Sequence, residues 1–252
     1  MIHWQLTSQQ YEAAFFAMQR DRLPYPTWNA VRAVDAADLG RQRREAIAAL
    51  LPRVDDDLGR LLHTLADPHV RVHVHGRIGG ETDNPTTRLR GYAGFGSSIA
   101  AVAIQDPDPQ PGLSGDVTVS LCSHRQAQLL LARMLPQGQP GRHEIAALKS
   151  DLDVEPDWNG GWNRPSTPGE RVEKFFSRPR TGWGEVLCYP GSFLENRTDG
   201  VQGFLWMDFP RDGRYYVRED DRSYTATPMT HDQFANHIGS IVWRVGELAS
   251  SR

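Results

Sequence analysis

Cysteine is nearly absent from this 252-residue chain. The two present, Cys122 and Cys188, lie in apolar, strand-like contexts (TVSLC and GEVLCYP). That excludes a disulfide framework and predicts buried, reduced thiols of the kind found in a cytosolic protein. There is no apolar run near the roughly 20 residues that cross a bilayer, so no membrane span is expected. The opening MIHWQLTSQQYEAA has no basic segment followed by an apolar one, so no secretory leader is expected either. Without a leader, the glycosylation sequon Asn196-Arg197-Thr198 carries no weight. Charge of one sign is lacking too: 28 Lys and Arg against 31 Asp and Glu leave a net −3, no electrostatic reason to expect a nucleic acid. A length of 252 residues is enough to bury a full core, as one large domain or two closely joined halves.

The usual carriers of catalysis are missing as well. GFGSS near residue 94 is not a G-x-S-x-G elbow, and no Lys-Ser or Lys-Thr follows the glycines of RGYAGFGS to make a phosphate loop. No dinucleotide fingerprint is present; those glycines lie between strands and suit turns. Asp208 and Asp212 flank the turn of WMDFPRDGRYY and most simply serve it. Two cysteines in apolar settings are poor nucleophiles. No catalytic residue, cofactor or metal is expected, and the chain does not read as an enzyme.

One stretch argues the other way. HVRVHVHGRI, residues 69–78, holds three histidines, and an HxH pair such as His73 and His75 can supply half of a zinc site, with His69 or His63 nearby. A metal-dependent hydrolase built on His73 and His75 is therefore the alternative reading. The pattern itself favours a strand. Val70, Val72, Val74 and Ile78 alternate with His69, Arg71, His73, His75 and Arg77, giving one core face and one polar face. No aspartate follows the pair at a hydrolase spacing. The remaining histidines sit at helix starts, in a linker and on a helix surface. A solvated or partner-contacting face is the simpler account.

Elsewhere the chain alternates helix and strand signals. Thr7 or Ser8 can cap a helix through YEAAFFAMQR, which RLPYPTW ends; further helices fit DLGRQRREAIAALLP and DDDLGRLLHTLAD, the acidic run 55–57 suiting a helix start. After the strand at 69–78 and the loop GGETDNPT come strands in TRLRGYAGF, SIAAVAIQD and DVTVSLC. The helix SHRQAQLLLARMLP, capped by Ser123 and stopped by Pro136, closes this part. Residues 137–167 are dominated by Gly, Pro, Asn and Asp, with EIAALKSDL as a short helix and Trp158 and Trp162 beside NGGWN. The order then recurs: helix PGERVEKFFSRP, strand GWGEVLCYP, loop GSFLENRTDG, strands GFLWMDF, GRYYVRED and SYTATP, and helix THDQFANHIGSIVWRVG. The expected fold is α+β, with antiparallel sheets flanked by helices and two halves related by a pseudo-two-fold axis. Residues 1–136 form an N-terminal half, 137–167 a connection and 168–252 a C-terminal half, together one compact domain. Exposed aromatics such as Trp183 could anchor a partner or cover the seam between halves.

The block FLWMDFPRDGRYYVREDDRSYTATPMTHDQF resembles the end of the EspG family, the cytosolic chaperones of mycobacterial-type type VII secretion: a strand ending at Asp208, a Gly213-Arg214-Tyr215 strand, a strand from Thr225 to Pro228 and a helix from Thr230. HWQLTSQQYEAAF, LLHTLADPHVRVHVHGRI and VTVSLCSHRQAQLLLARMLPQGQPGR are similar to the family's opening strand and helix, its helix–Asp-Pro–strand unit and its closing strand–helix unit. The resemblance implies a cytoplasmic, non-catalytic chaperone. Its partner would be a PPE-like protein of a PE–PPE heterodimer, or a related type VII substrate, kept soluble for export. It also implies that the loop after the second strand, the central sheet and the C-terminal helices contribute to that contact. The partner-binding residues it points to are His73, His75 and Arg77, followed by Gly79, Gly80, Glu81, Thr82, Asp83, Asn84, Pro85 and Thr86. The loop is short here and the connection is rich in Trp and Gly. A dimeric scaffold without chaperone activity is the third reading; the sequence leaves the oligomeric state open.

Overall fold

A computed structural model describes residues 1–30, 32–80, 85–108, 110, 112–149, 167–195 and 198–250. Trp158, Trp162 and the first two residues of the sequon lie outside the described residues. The first half begins with strand β1 (Ile2–Leu6) and helices α1 (Ser8–Ala17), α2 (Ala36–Leu50) and α3 (Asp56–Ala66). Strands β2 (Val70–Ile78), β3 (Arg88–Phe95), β4 (Ala100–Gln105) and β5 (Val117–Cys122) follow, then helix α4 (His124–Arg133). The second half has β6 (Ile145–Leu148), α5 (Pro168–Phe176), β7 (Gly182–Pro190), β8 (Gln202–Phe209), β9 (Gly213–Glu219), β10 (Ser223–Pro228) and α6 (His231–Ser250).

Local chemistry sets the helix starts. Thr7 accepts a hydrogen bond from the Gln10 amide while the Gln10 side chain accepts from the Thr7 amide, and Ser123 with Gln126 and Thr167 with Glu170 repeat the arrangement. Each pair satisfies two amides that the first helical turn leaves without a partner. Asp35 and Asp55 cap α2 and α3. The described residues of EIAALKSDL do not form the short helix expected there. Its residues 145–148 make strand β6, paired antiparallel with β10. Alanine carries little preference against an extended edge that offers backbone partners, and tertiary pairing decides the conformation.

All ten strands form one antiparallel sheet in the order β1-β5-β4-β3-β2-β7-β8-β9-β10-β6. Read inward from either edge, an opening strand pairs with the last strand of its half and the rest follow in reverse order. The two halves therefore meet where β2 pairs with β7, from Val70 opposite Pro190 to Ile78 opposite Gly182. The alternation expected for β2 holds on its even side. Val70, Val72 and Val74 join Val186, Phe204 and Trp206 under α4 and α6 in the largest core. At the seam Gly76 faces Gly184, and a Cβ on either would come within 2.8 Å of the Trp206 indole. The glycine pair thus admits the fully buried Trp206 over the junction. Cys188 lies in this core and Cys122 at its margin, both reduced; burial pushes Cys122 up to about 11 and raises Cys188 as well.

The opposite face is covered in two separate places. Leucines of α3, with Tyr11 and Phe15 of α1, pack on Tyr92, Ala101, Ala103, Val117 and Val119 of the first half. In the second half Phe175 of α5 packs on Met207, Phe209, Tyr215 and Val217. Between these layers lies a strip of β2, β7 and the start of β8. There Trp183 and Leu205 are exposed, and His75, Arg77, Glu185 and Leu187 are half-buried. The odd-numbered side of β2 runs into this strip.

Candidate partner-binding site

Along β2 the odd-numbered side chains pass from full burial to half-burial, which corrects the expectation of a uniformly solvated face. Arg71 is buried, and its Nη1 donates to the carbonyls of Pro190, Gly191 and Ser192 at 2.7, 2.8 and 2.9 Å. His73 is only 6% exposed. Its ring lies 4.8 Å from Tyr189, 5.6 Å from Tyr92 and 5.7 Å from Tyr25, centroid to centroid, and neither ring nitrogen has a hydrogen-bond partner. Burial, helped by the neighbouring Arg71 and His75, holds its pKa down at about 3. It therefore stays neutral throughout the physiological range and cannot serve as the pH sensor that an exposed imidazole would be. Tyr25 belongs to a segment that folds over β2, so the covering comes from residues distant in sequence.

His75 sits at the margin of the strip. Its Nε2 contacts the Glu185 carboxylate on β7, and its ring meets the edge of Tyr25 at 5.2 Å. Arg77, one step further, stands opposite Arg88 on β3 and Trp183 on β7, with its guanidinium 6.0 Å from the Trp183 ring centre. The chain then turns through Gly79 and Gly80, whose φ of +89° and +104° only glycine adopts readily. The Gly79 amide donates to Thr181 O at 2.7 Å, fixing the start of the loop. Pro85 and Thr86 begin a single helical turn that leads into β3. Glu81, Thr82, Asp83 and Asn84 lie outside the described residues.

Two concavities flank this hairpin. A cavity of about 940 Å³ lies between Gly79, Thr86 and Thr87, the segment 136–142 and the turn from Asp208 to Arg214. A second, of about 540 Å³, is lined by Tyr25 and Trp28, by His75 and Arg77, by Arg88 and Arg90, and by Trp183. Sequence reasoning overlooked Tyr25, Trp28, Arg88 and Arg90 as site residues. The period-two spacing of the arginines in TRLRG was a usable signal once hairpin register was considered. Tyr25 and Trp28, in an irregular segment, carried none.

The aspartates of the β8–β9 turn have structural work. Arg214, fully buried, donates from Nε and Nη2 to the two Asp208 oxygens at 2.7 Å each and from Nη2 to Pro136 O at 2.8 Å. Asp212 accepts from Arg178, from the Tyr215 hydroxyl at 2.9 Å and from the Arg142 amide at 3.1 Å. His63 and His69, the extra ligands considered for an HxH zinc site, are both exposed. Among the described residues no three His, Cys, Asp or Glu side chains converge to hold a metal.

A profile of the EspG family matches residues 7–240. This chain belongs to the EspG family. No curated protein sequence matches it. Among solved structures, the EspG chain is similar to the Mycobacterium tuberculosis type VII secretion system chaperone EspG5, solved in complex with a PE25–PPE41 dimer. The identity is 11%, the coverage 96% of each chain and the TM-score 0.60. The α+β architecture expected from element order is thus an EspG fold over almost its whole length. No described helix of it is long and apolar enough to cross a membrane.

Proposed function

We propose that this EspG chain is a cytosolic, non-catalytic chaperone of type VII secretion. It binds the PPE-like subunit of a PE–PPE heterodimer and keeps an apolar helical surface of that partner soluble for export. Family membership supports the reading, as does the likeness in fold to an EspG protein solved with a PE25–PPE41 dimer. The observation that carries it is the strip left between the α3 and α5 layers, where Trp183 and Leu205 are exposed on the sheet. Three strands spaced about 4.8 Å apart make a floor on the order of 10–14 Å wide, which accommodates a helix of about 10–12 Å diameter. An apolar face of that kind on a helical partner would otherwise drive association.

In this reading His75, Arg77, Gly79, Gly80, Pro85 and Thr86 border the partner, as do Glu81, Thr82, Asp83 and Asn84 of the same loop. His73 supports the ring cluster from beneath. The test is co-expression with the PPE-like protein encoded nearest to the chain, together with its PE partner. Co-purification and a gain in solubility are expected. A substrate that remains insoluble and fails to co-purify would refute the assignment. Replacing Asp83 and Asn84 with arginine should weaken the complex while leaving the chaperone folded; unchanged affinity would remove the loop from the interface.

A further inference from the structure

A third cavity, of about 460 Å³, has His73 in its wall beside Leu23, Tyr25, Tyr189 and Phe193. Pockets of roughly 300–1,000 Å³ are the size that holds small organic groups. Tyr189 continues the side of β7 that carries Glu185 and Leu187, so this cavity lies along the line of the strip. His73 is 6% exposed, and among the described residues neither of its ring nitrogens has a hydrogen-bond partner. The nearby Tyr92 hydroxyl supplies none, because it donates to Leu65 O at 2.9 Å. A phenylalanine would fill the same place between rings without that deficit, so the imidazole costs the free chain stability. A side chain that breaks a packing rule at such a cost marks a functional position.

The chemistry of the walls selects the class of ligand. The two arginines of this cavity are engaged by the chain itself, Arg71 by the carbonyls of Pro190, Gly191 and Ser192 and Arg22 by Phe193 O at 3.4 Å. Their charge still disfavours an ammonium group. Burial, and then the Glu185 carboxylate, raise the pKa of Tyr25 and Tyr189, so both phenols stay neutral and a further anion beside them is disfavoured. The neutral imidazole of His73 offers one N–H and one lone pair. A hydroxyl accepts from the first or donates to the second, and so fits whichever nitrogen faces the cavity. The surrounding rings favour an aromatic carrier for it, since tilted and edge-on ring pairs attract.

We infer that this cavity receives a phenol ring, the side chain of a tyrosine on the partner helix, whose hydroxyl bonds the His73 imidazole while its ring packs against Tyr25, Tyr189 and Phe193. The inference rests on the chaperone reading above. The reach fits. Leu205 stands opposite Glu185, and Tyr189 lies about 14 Å further along β7. A helix laid along the strands over Leu205 covers that distance in about nine residues. A helix with a tyrosine at that remove from its apolar patch is thereby selected over a purely apolar one, because only the hydroxyl satisfies the buried imidazole.

The experiment follows the imidazole nitrogens of wild type and H73F by long-range proton–nitrogen NMR during titration with 4-methylphenol, and with toluene as the ring without a hydroxyl. In wild type, 4-methylphenol should shift a His73 nitrogen and saturate with a dissociation constant on the order of 1 mM, the scale open to so small a ligand. Toluene should bind about tenfold more weakly, as should 4-methylphenol to H73F, while H73F melts no lower than wild type. The PE–PPE-type heterodimer encoded nearest to the chain should displace 4-methylphenol from wild type and bind H73F about tenfold more weakly. His73 nitrogens that 4-methylphenol leaves unmoved overturn the inference. A heterodimer that binds wild type without displacing 4-methylphenol overturns it too, in favour of a free phenolic ligand, and leaves the chaperone reading standing. No complex between the heterodimer and wild type overturns both. If H73F fails to fold, the wild-type titrations and the displacement decide alone.

Discussion

The two halves share a strand order and differ in what lies on the strip side of the sheet. In the first half α1 and α3, with Leu50 from the end of α2, bury that side of β3, β4 and β5 under a core of 17 residues. In the second half, among the described residues, α5 alone covers it, through a core of six. The other side of the sheet shows no such imbalance, since one core under α4 and α6 draws on strands of both halves. A duplicated scaffold can thus be made into a closed unit or a receptive one by the helices laid on one face. The open strip falls at the seam because, among the described residues, neither half's layer reaches it.

If the smaller layer makes the second half depend on polar pins where the first depends on apolar mass, Asp208→Ala should have the largest effect. It leaves the 1%-exposed Arg214 without its bidentate partner and loosens the hold on Pro136. A loss of about 3–5 kcal/mol is expected, read by urea denaturation. A single cooperative transition would show that both halves unfold together; two transitions would separate them.

Next is acid titration. His73 is held at about 3, far below the ordinary value of about 6.5 that it regains on unfolding. The unfolded chain takes up this proton first, so the associated stability is complete above about pH 6.5 and is lost as pH falls towards 3. Roughly 3 kcal/mol should be gone by about pH 4.5, measured as wild type against His73→Leu. Equal slopes for the two proteins would mean that the Tyr25 segment opens and leaves His73 in water.

Smaller effects compare the halves directly. Thr7→Ala and Thr167→Ala remove equivalent capping pairs from α1 and α5. Each should cost about 1 kcal/mol by thermal unfolding. If Thr167→Ala costs clearly less, α5 frays independently of the sheet and the second half is the more open of the two.

How far the residues foretold these contrasts depends on the range of the signal. Helix caps at Thr7, Asp55 and Ser123, and the valine side of β2, were legible because three-residue spacing and period-two alternation act locally. The repeated element order was legible for the same reason. The burial of His73 was not, because the Tyr25 segment that covers it is some fifty residues away and carries no periodicity. EIAALKSDL has helix-forming residues, and its residues 145–148 become a strand because β10 leaves an edge to pair. The arginine cleft was half-legible: TRLRG shows the spacing, but only the β2–β3 register reveals that Arg77 faces Arg88.

The smallest expected effect distinguishes the strip from the cores beside it. Trp183 and Leu205 are 38% and 36% exposed, whereas Trp206, the residue after Leu205 and so on the other side of β8, facing Gly184, is fully buried. Trp183→Ser and Leu205→Ser should each change stability by no more than about 0.5 kcal/mol, because the free chaperone already leaves these side chains in water. Both should weaken capture of a PE–PPE-type heterodimer, since a central aromatic contact carries more of an interface than its rim. A destabilisation of about 2 kcal/mol or more at either position would mean that the chain's own residues cover the strip, and the contrast between a closed first half and a receptive second half would fall.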